Sequence, residues 1–232
     1  MSEYVFAPPA VVALPVVGSA SKFPVRRVYC VGRNYVEHAK EMGFTGREDP
    51  FFFSKPADAL LVIADGTQGK MSYPSKTQNL HFEMELVVAL GKGGRDIPVE
   101  KASECIFGYA LGLDMTRRDL QGEAKKLGRP WEVGKAFDQA GPIGPVHPVS
   151  KTGVLEKGAI SLEVNGQVKQ SSDLDKLIWS IPESISYLSG LFELQAGDLI
   201  FTGTPEGVGA VVKGDRMIGK FDGLGQIDVL VV

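Results

Sequence analysis

Turn-forming residues interrupt this sequence so often that long regular elements have little room: 28 glycines and 14 prolines are spread along 232 residues. Glycine reaches positive φ without steric cost, and proline fixes φ and removes a backbone donor, so together they favour tight reversals between short segments. Short apolar runs closed by such residues read as strands. The pattern predicts a mostly β (α+β) fold, a mixed sheet architecture with short helices at its periphery. The length suits a single domain over residues 26–232, preceded by a Pro-rich, weakly structured extension over residues 1–25.

Strands are expected at Arg26–Val31, Phe51–Phe53, Ala59–Ile63, Phe82–Leu90, Phe107–Met115, Leu199–Thr202 and Gln226–Val232. A hairpin is expected where Ile160–Val164 and Val168–Gln170 flank Asn165-Gly166-Gln167, because Asn-Gly accepts the positive φ angles of a tight reversal. Asn34 is placed to cap a short helix running to Met42, with Gly43 as its stop. Further helices are expected over Pro98–Cys105, Thr116–Leu127 and Pro182–Leu191, the last with proline in its first turn.

A formal net charge of -3 gives no basic field to draw in nucleic acid or an anionic membrane. Cys30 and Cys105 lack metal-ligand spacing and sit in apolar surroundings, which reads as buried free thiols in a reducing compartment. The apolar stretch Val11–Val17 is short and broken by Pro15, and Met-Ser-Glu is no basic leader, so the expected location is cytoplasmic.

Chemistry enters at Glu83-Met84-Glu85. Alternate residues of a strand share a face, so both carboxylates point one way and repel unless solvent or a cation intervenes. On spacing alone they equally describe the acidic outer face of a half-exposed strand. Asp114 ends the uncharged run Phe107–Leu113, where an isolated buried charge would cost several kcal/mol. It either caps the helix that follows or joins the two glutamates in an all-oxygen site. Such a site suits Mg²⁺, Mn²⁺ or Ca²⁺ rather than zinc.

Two further groups carry suitable chemistry. His38 and Glu41 are three residues apart, on one face of the short helix, where the carboxylate can orient the imidazole. The same spacing also fits a solvated surface pair. Lys135, in Trp131-Glu-Val-Gly-Lys-Ala-Phe137, either binds an oxyanion or snorkels to the surface.

Six segments occur in order: Gly32-Arg-Asn-Tyr-Val-Glu-His38, Lys55-Pro56, Glu83-x-Glu85, Leu113-Asp114-Met-Thr-x-Arg118-Asp119-x-Gln121, Lys135-Ala-Phe137 and Thr202-Gly-Thr-Pro-x-Gly-Val-Gly209. Together they resemble the fumarylacetoacetate hydrolase family, from about residue 30 to the end of the sequence. The Pro-rich opening, Phe51-Phe-Phe-Ser-Lys-Pro56 and Arg129-Pro-Trp131 further resemble the bacterial fumarylpyruvate hydrolases of gentisate breakdown, a route of aromatic catabolism. The resemblance implies a β-sandwich roll of mixed sheets, paired as a homodimer. It implies that Glu83, Glu85 and Asp114 hold Mg²⁺ or Mn²⁺, and that His38 and Glu41 form a His–Glu dyad on a mobile helix. Lys135, Arg118 and Gln121 fall where the family contacts substrate and oxyanion. Thr204 matches a residue that contacts a substrate carboxylate, and Arg33 is a further anion contact by proximity. His81 and His147 receive structural roles.

The implied activity is hydrolysis of a carbon–carbon bond in a small dianionic diketo acid of the acylpyruvate type, fumarylpyruvate giving fumarate and pyruvate. The same apparatus would serve oxaloacetate decarboxylation or keto–enol isomerisation, neither of which needs an activated water. A non-catalytic metal-binding relative is the alternative of another class; an intact Lys135, His38 and Glu41 argue against it.

Overall fold

The segment Met84–Leu90 is apolar but for Glu85 and buried along its whole length, so it requires cover on both sides. In the computed structural model, which describes residues 4–41, 43 and 47–232, it lies at the centre of the largest sheet. Across that sheet the strands run Phe51–Lys55, Val28–Gly32, Leu199–Phe201, Met84–Leu90, Ile106–Leu113, Gly141–Ile143 and Leu60–Val62. A second sheet holds, in order, Gln167–Asp173, Ala159–Val164, Arg216–Phe221, Gly225–Val231 and Gln68–Met71. The mostly β reading therefore holds.

Strand alternation divides the core. Leu86 and Val88 face the second sheet, meeting Ile160, Leu162, Met217 and Val229. Val87 and Ala89 face the other way, where Leu14 and Phe23 cover them. Those two come from a hairpin, Ala13–Pro15 with Lys22–Pro24, in which they are direct cross-strand partners. The second half of the extension is thus a packed lid on the large sheet, not a loose arm. Burying one such side chain contributes about 1.5–3 kcal/mol, enough to order so short a pair.

Other differences have local causes. The expected strand Phe82–Leu90 is broken at Glu83: Leu80–Phe82 pairs with Thr116–Arg117 and Gly209–Val211, whereas Met84–Leu90 joins the large sheet. Glu83 is therefore the joint between two sheets. Asn34 does not cap its helix, which begins at Val36. Its amide donates to the carbonyls of Trp179 and Thr202 and accepts from the Trp179 N–H. The expected helix end at Met42 lies outside the described residues; the helix is described over Val36–Glu41.

The hairpin turn is the two residues Asn165 and Gly166, both at positive φ, with Gln167 already in the strand. Helix Ile181–Leu191 opens on a reciprocal Ser180–Glu183 capping box. Among the described residues, no helix is long and apolar enough to cross a membrane.

Candidate active site

Because Glu83 and Glu85 flank Met84, they turn to one side while Met84 enters the core between the sheets. Leu113 pairs with Met84 in antiparallel register, which brings the next residue, Asp114, beside Glu83. The Asp114 N–H donates to the Glu83 carbonyl at 2.8 Å, locking that placement. All three carboxylates are buried, and one oxygen from each lies within 4.8 Å of the other two. The acidic-face and helix-cap alternatives both require exposure or a capping bond, and neither is found.

Three cations balance this charge. The Lys135 ammonium donates to Glu83 Oε2 and to Asp114 Oδ2, both at 2.8 Å. Lys55 Nζ stands 2.7 Å from Asp114 Oδ1 and donates to the carbonyls of Met115 and Lys135. Arg118 donates through Nη2 to Glu83 Oε1 at 2.5 Å and through Nη1 to Gln121 Oε1 at 2.7 Å.

Burial alone would raise the Glu83 carboxyl, but Lys135 and Arg118 outweigh it and hold it well below the ordinary range. Burial likewise works against the Lys135 charge, and Asp114 and Glu83 more than restore it, leaving Lys135 above the ordinary lysine value. Glu85 has the opposite fate. Burial, then the Asp114 and Glu83 charges, push it well above its ordinary value, against the Gly203 N–H at 2.8 Å and the Lys135 charge.

These residues fit a hard divalent cation. The donors are all carboxylate oxygens, and Asp114 Oδ1 is buried without a hydrogen bond of its own despite its ionic contact with Lys55. Glu85 is crowded by two like charges, which the Gly203 N–H and the Lys135 charge do not offset. A shared divalent ion relieves both conditions.

The remaining side chains arrive from the helix Val36–Glu41 and from the loop that follows strand Leu199–Phe201. The Asn34 clamp on Trp179 and Thr202 holds the start of the Val36–Glu41 helix against Thr202-Gly-Thr-Pro. His38 on that helix is buried and lines the cleft, with Nδ1 at 3.4 Å from Glu41 Oε2. Glu41 is half exposed and also accepts the Gly207 N–H at 3.4 Å.

Two glycines in this loop are required by space as well as by positive φ. A Cβ at Gly203 would meet Asn34 Cβ at 2.7 Å, and one at Gly207 would meet the Lys169 carbonyl at 2.2 Å. Thr204 lines the cleft too, but its hydroxyl donates to the Met84 carbonyl and accepts from Gln170. It is held between the two glutamates, at the carboxylate end.

Arg33, His38, Glu83, Glu85, Asp114, Arg118, Gln121, Lys135 and Thr204 thus line one cleft, and Glu41 reaches it through His38. Phe51, Phe53 and Trp131 form its aromatic wall. His81 is a support: Arg118 Nε donates to its Nδ1, and Nε2 faces Asn79 Oδ1 at 2.9 Å. Burial and then the Arg118 charge lower its pKa to about 4, so it is neutral near pH 7.

Sequence reasoning gave no role to Lys55, whose signal was a lysine ending the aromatic strand Phe51–Lys55. Gln170 went unnoticed. It accepts the Met84 N–H and donates to Thr204 and Pro205, tying the glutamate strand to the 202–209 loop.

Residues 27–232 match the family model of the fumarylacetoacetate (FAA) hydrolase C-terminal domain. The chain belongs to the fumarylacetoacetate hydrolase family. Among solved structures, it is similar to a fumarylpyruvate hydrolase of Pseudomonas aeruginosa in complex with Mn²⁺ and pyruvate, at 60% identity and a TM-score of 0.98 over 99% of both chains. A fumarylpyruvate hydrolase of a Ralstonia species is 50% identical over 184 residues, 79% of this chain and 93% of that one. An oxaloacetate tautomerase of Escherichia coli is 40% identical over 207 residues, 89% of this chain and 93% of that one.

Proposed function

We propose that the protein is a divalent-metal-dependent hydrolase of the C–C bond of acylpyruvates, acting on fumarylpyruvate to give fumarate and pyruvate. The observation that carries this reading is one cleft holding both a buried three-carboxylate cluster and the His38–Glu41 pair. The similarity to two fumarylpyruvate hydrolases supports the choice of acyl group.

Glu83, Glu85 and Asp114 would hold a divalent ion, Mg²⁺ or Mn²⁺, which would supply Lewis-acid stabilisation of negative charge developing on the substrate. His38 takes a proton from water at Nε2 while Glu41 accepts from Nδ1–H and fixes the tautomer. The hydroxyl adds to the acyl carbonyl carbon. Lysine has three donors, and Lys135 uses two on Glu83 and Asp114, so the third is free for the developing oxyanion. Arg118 holds the Gln121 amide by its oxygen, leaving the NH₂ as the second donor. Collapse breaks the bond to the methylene carbon, whose electron pair leaves as pyruvate enolate and takes up one proton. Water is thereby divided between fumarate and pyruvate.

The family resemblance extends the proposal to a cytoplasmic homodimer serving gentisate-type aromatic catabolism. A second reading, oxaloacetate tautomerisation on the same carboxylates, is favoured by the E. coli relative, and oxaloacetate decarboxylation would use the same carboxylates. Incubating the Mn²⁺-loaded protein with fumarylpyruvate, acetylpyruvate and oxaloacetate separates the two. Fumarate plus pyruvate from the first substrate supports hydrolysis, and turnover of oxaloacetate alone overturns it.

A further inference from the structure

The peptide groups between Glu83 and Glu85 are supported unequally on the two sides. On one side, Ile106–Leu113 pairs with Met84–Leu90 along its whole length. On the other, Leu199–Phe201 pairs with it only from Ala89 to Val87, so Met84 has no strand beside it there. Gln170 takes that place. It comes from the second sheet, on strand Gln167–Asp173, and is 1% exposed.

Three bonds close a ring around Met84. The Met84 N–H donates to Gln170 Oε1 at 3.0 Å, and Gln170 Nε2 donates to Thr204 Oγ1 at 2.8 Å. The Thr204 hydroxyl then donates to the Met84 carbonyl at 2.9 Å. The second hydrogen of the Gln170 amide goes to the Pro205 carbonyl, also at 2.8 Å. Only one amide orientation serves: turned over, it would set NH₂ against the Met84 N–H and oxygen against the Pro205 carbonyl. Each donor and acceptor in the ring is therefore used, and none of these buried groups is left unpaired.

The Met84 N–H belongs to the peptide that follows Glu83, and the Met84 carbonyl to the peptide that precedes Glu85. Holding both peptides fixes the backbone from which the two carboxylates project. The loop on the far side of the ring reaches the same site, since the Gly203 N–H donates to Glu85 Oε2 at 2.8 Å. Next to Gln170, the Lys169 carbonyl lies so close to Gly207 that a Cβ there would meet it at 2.2 Å. The Gly207 N–H in turn donates to Glu41 Oε1 at 3.4 Å. One strand of the second sheet thus backs the glutamate pair and the loop that touches the His38–Glu41 dyad.

We propose that Gln170 is a positioning residue for the metal centre, its amide setting the spread of the Glu83 and Glu85 carboxylates and so the affinity and coordination geometry of the divalent ion. This rests on the reading of Glu83, Glu85 and Asp114 as metal ligands. Among the described residues, Gln170 bonds to no carboxylate of that cluster, so it acts through Met84 and Thr204.

The test is Gln170→Met, which keeps the side-chain length and removes the amide. Calorimetry of Mn²⁺ binding should show Kd raised at least tenfold, as on loss of a group that orients metal ligands. The electron paramagnetic resonance spectrum of the bound Mn²⁺ should change its zero-field splitting at full occupancy. Ser189→Ala is the control for lost stability alone. It also leaves a buried N–H unpaired, that of Ile97 at 2.8 Å, on helix Ile181–Leu191. Its Mn²⁺ Kd should stay within about twofold of wild type. Should Gln170→Met fail to fold, Thr204→Val opens the same ring and should weaken Mn²⁺ binding in the same way. Wild-type affinity with an unchanged spectrum in either ring variant, or an equal loss in Ser189→Ala, would overturn the proposal. A wild-type protein that binds no Mn²⁺ refutes the metal reading and this proposal with it. One that binds Mn²⁺ but leaves fumarylpyruvate intact refutes the hydrolase reading alone.

Discussion

Replacing Lys135 by Met keeps most of the side-chain stem but removes the ammonium that two buried carboxylates share. Its two bonds, to Glu83 and Asp114 at 2.8 Å, join groups almost wholly removed from water. Removing one partner of a buried ionic group leaves uncompensated charge and costs about 3–5 kcal/mol. For a chain of this size, each kcal/mol moves Tm by ~2–4 °C, so the metal-free variant should melt roughly 10 °C lower. Divalent metal should narrow the gap, since positive charge returns to the same oxygens without an ammonium competing for them. A hundredfold excess over Kd adds about 2.7 kcal/mol by linkage. The assay is urea unfolding of both proteins in EDTA and in Mn²⁺, with the metal-induced gain compared. A variant as stable as the wild-type protein in EDTA, with an equal gain from Mn²⁺, would refute the charge balance described above.

Three other outcomes are expected. Asp114→Asn should weaken Mn²⁺ binding and abolish turnover, because a hard anionic ligand is lost; full activity after chelation would contradict this. Glu41→Gln should lower kcat less than His38→Ala, since the imidazole stays but loses its charged orienting partner, and equal losses would argue against that role. His147 is half-buried, and burial lowers its pKa, so the folded protein holds it neutral where the unfolded chain protonates. Its contribution is complete above about pH 6.5 and is lost as pH falls below that value, by at most about 1.4 kcal/mol per pH unit and less because solvent reaches it. His147→Gln should flatten that acid limb in urea titrations, and an unchanged limb would exclude His147 as its source.

Legibility in the sequence followed the physics of each segment. Glu83 and Glu85 could be paired because strand alternation is local, and Asp114 stood out as a charge closing an apolar run. Their meeting depends on the Leu113–Met84 register, which no local pattern encodes. The hairpin at Asn165-Gly166 was readable because the turn itself needs positive φ. Arg216–Phe221 was missed although Met217 and Phe221 alternate into the core, because Gly219 between them carries no side chain to show the pattern. Leu14 and Phe23 were passed over because prolines surround them, yet their pairing depends only on burial against the large sheet. Asn34 was misassigned because an Asn before a helix suggests a cap, whereas its partners, Trp179 and Thr202, lie far along the chain.

Attack by water on the acyl carbonyl has a direct isotopic signature. Fumarylpyruvate cleaved by the Mn²⁺-loaded protein in H₂¹⁸O should give fumarate carrying one ¹⁸O in its newly formed carboxylate. Mass spectrometry of fumarate reads this without interference from exchange at the pyruvate ketone. One label per fumarate, formed at least about 10²-fold more slowly by metal-loaded His38→Ala, is the result that base-assisted hydrolysis predicts. Unlabelled fumarate, or consumption of fumarylpyruvate without any fumarate, would contradict it.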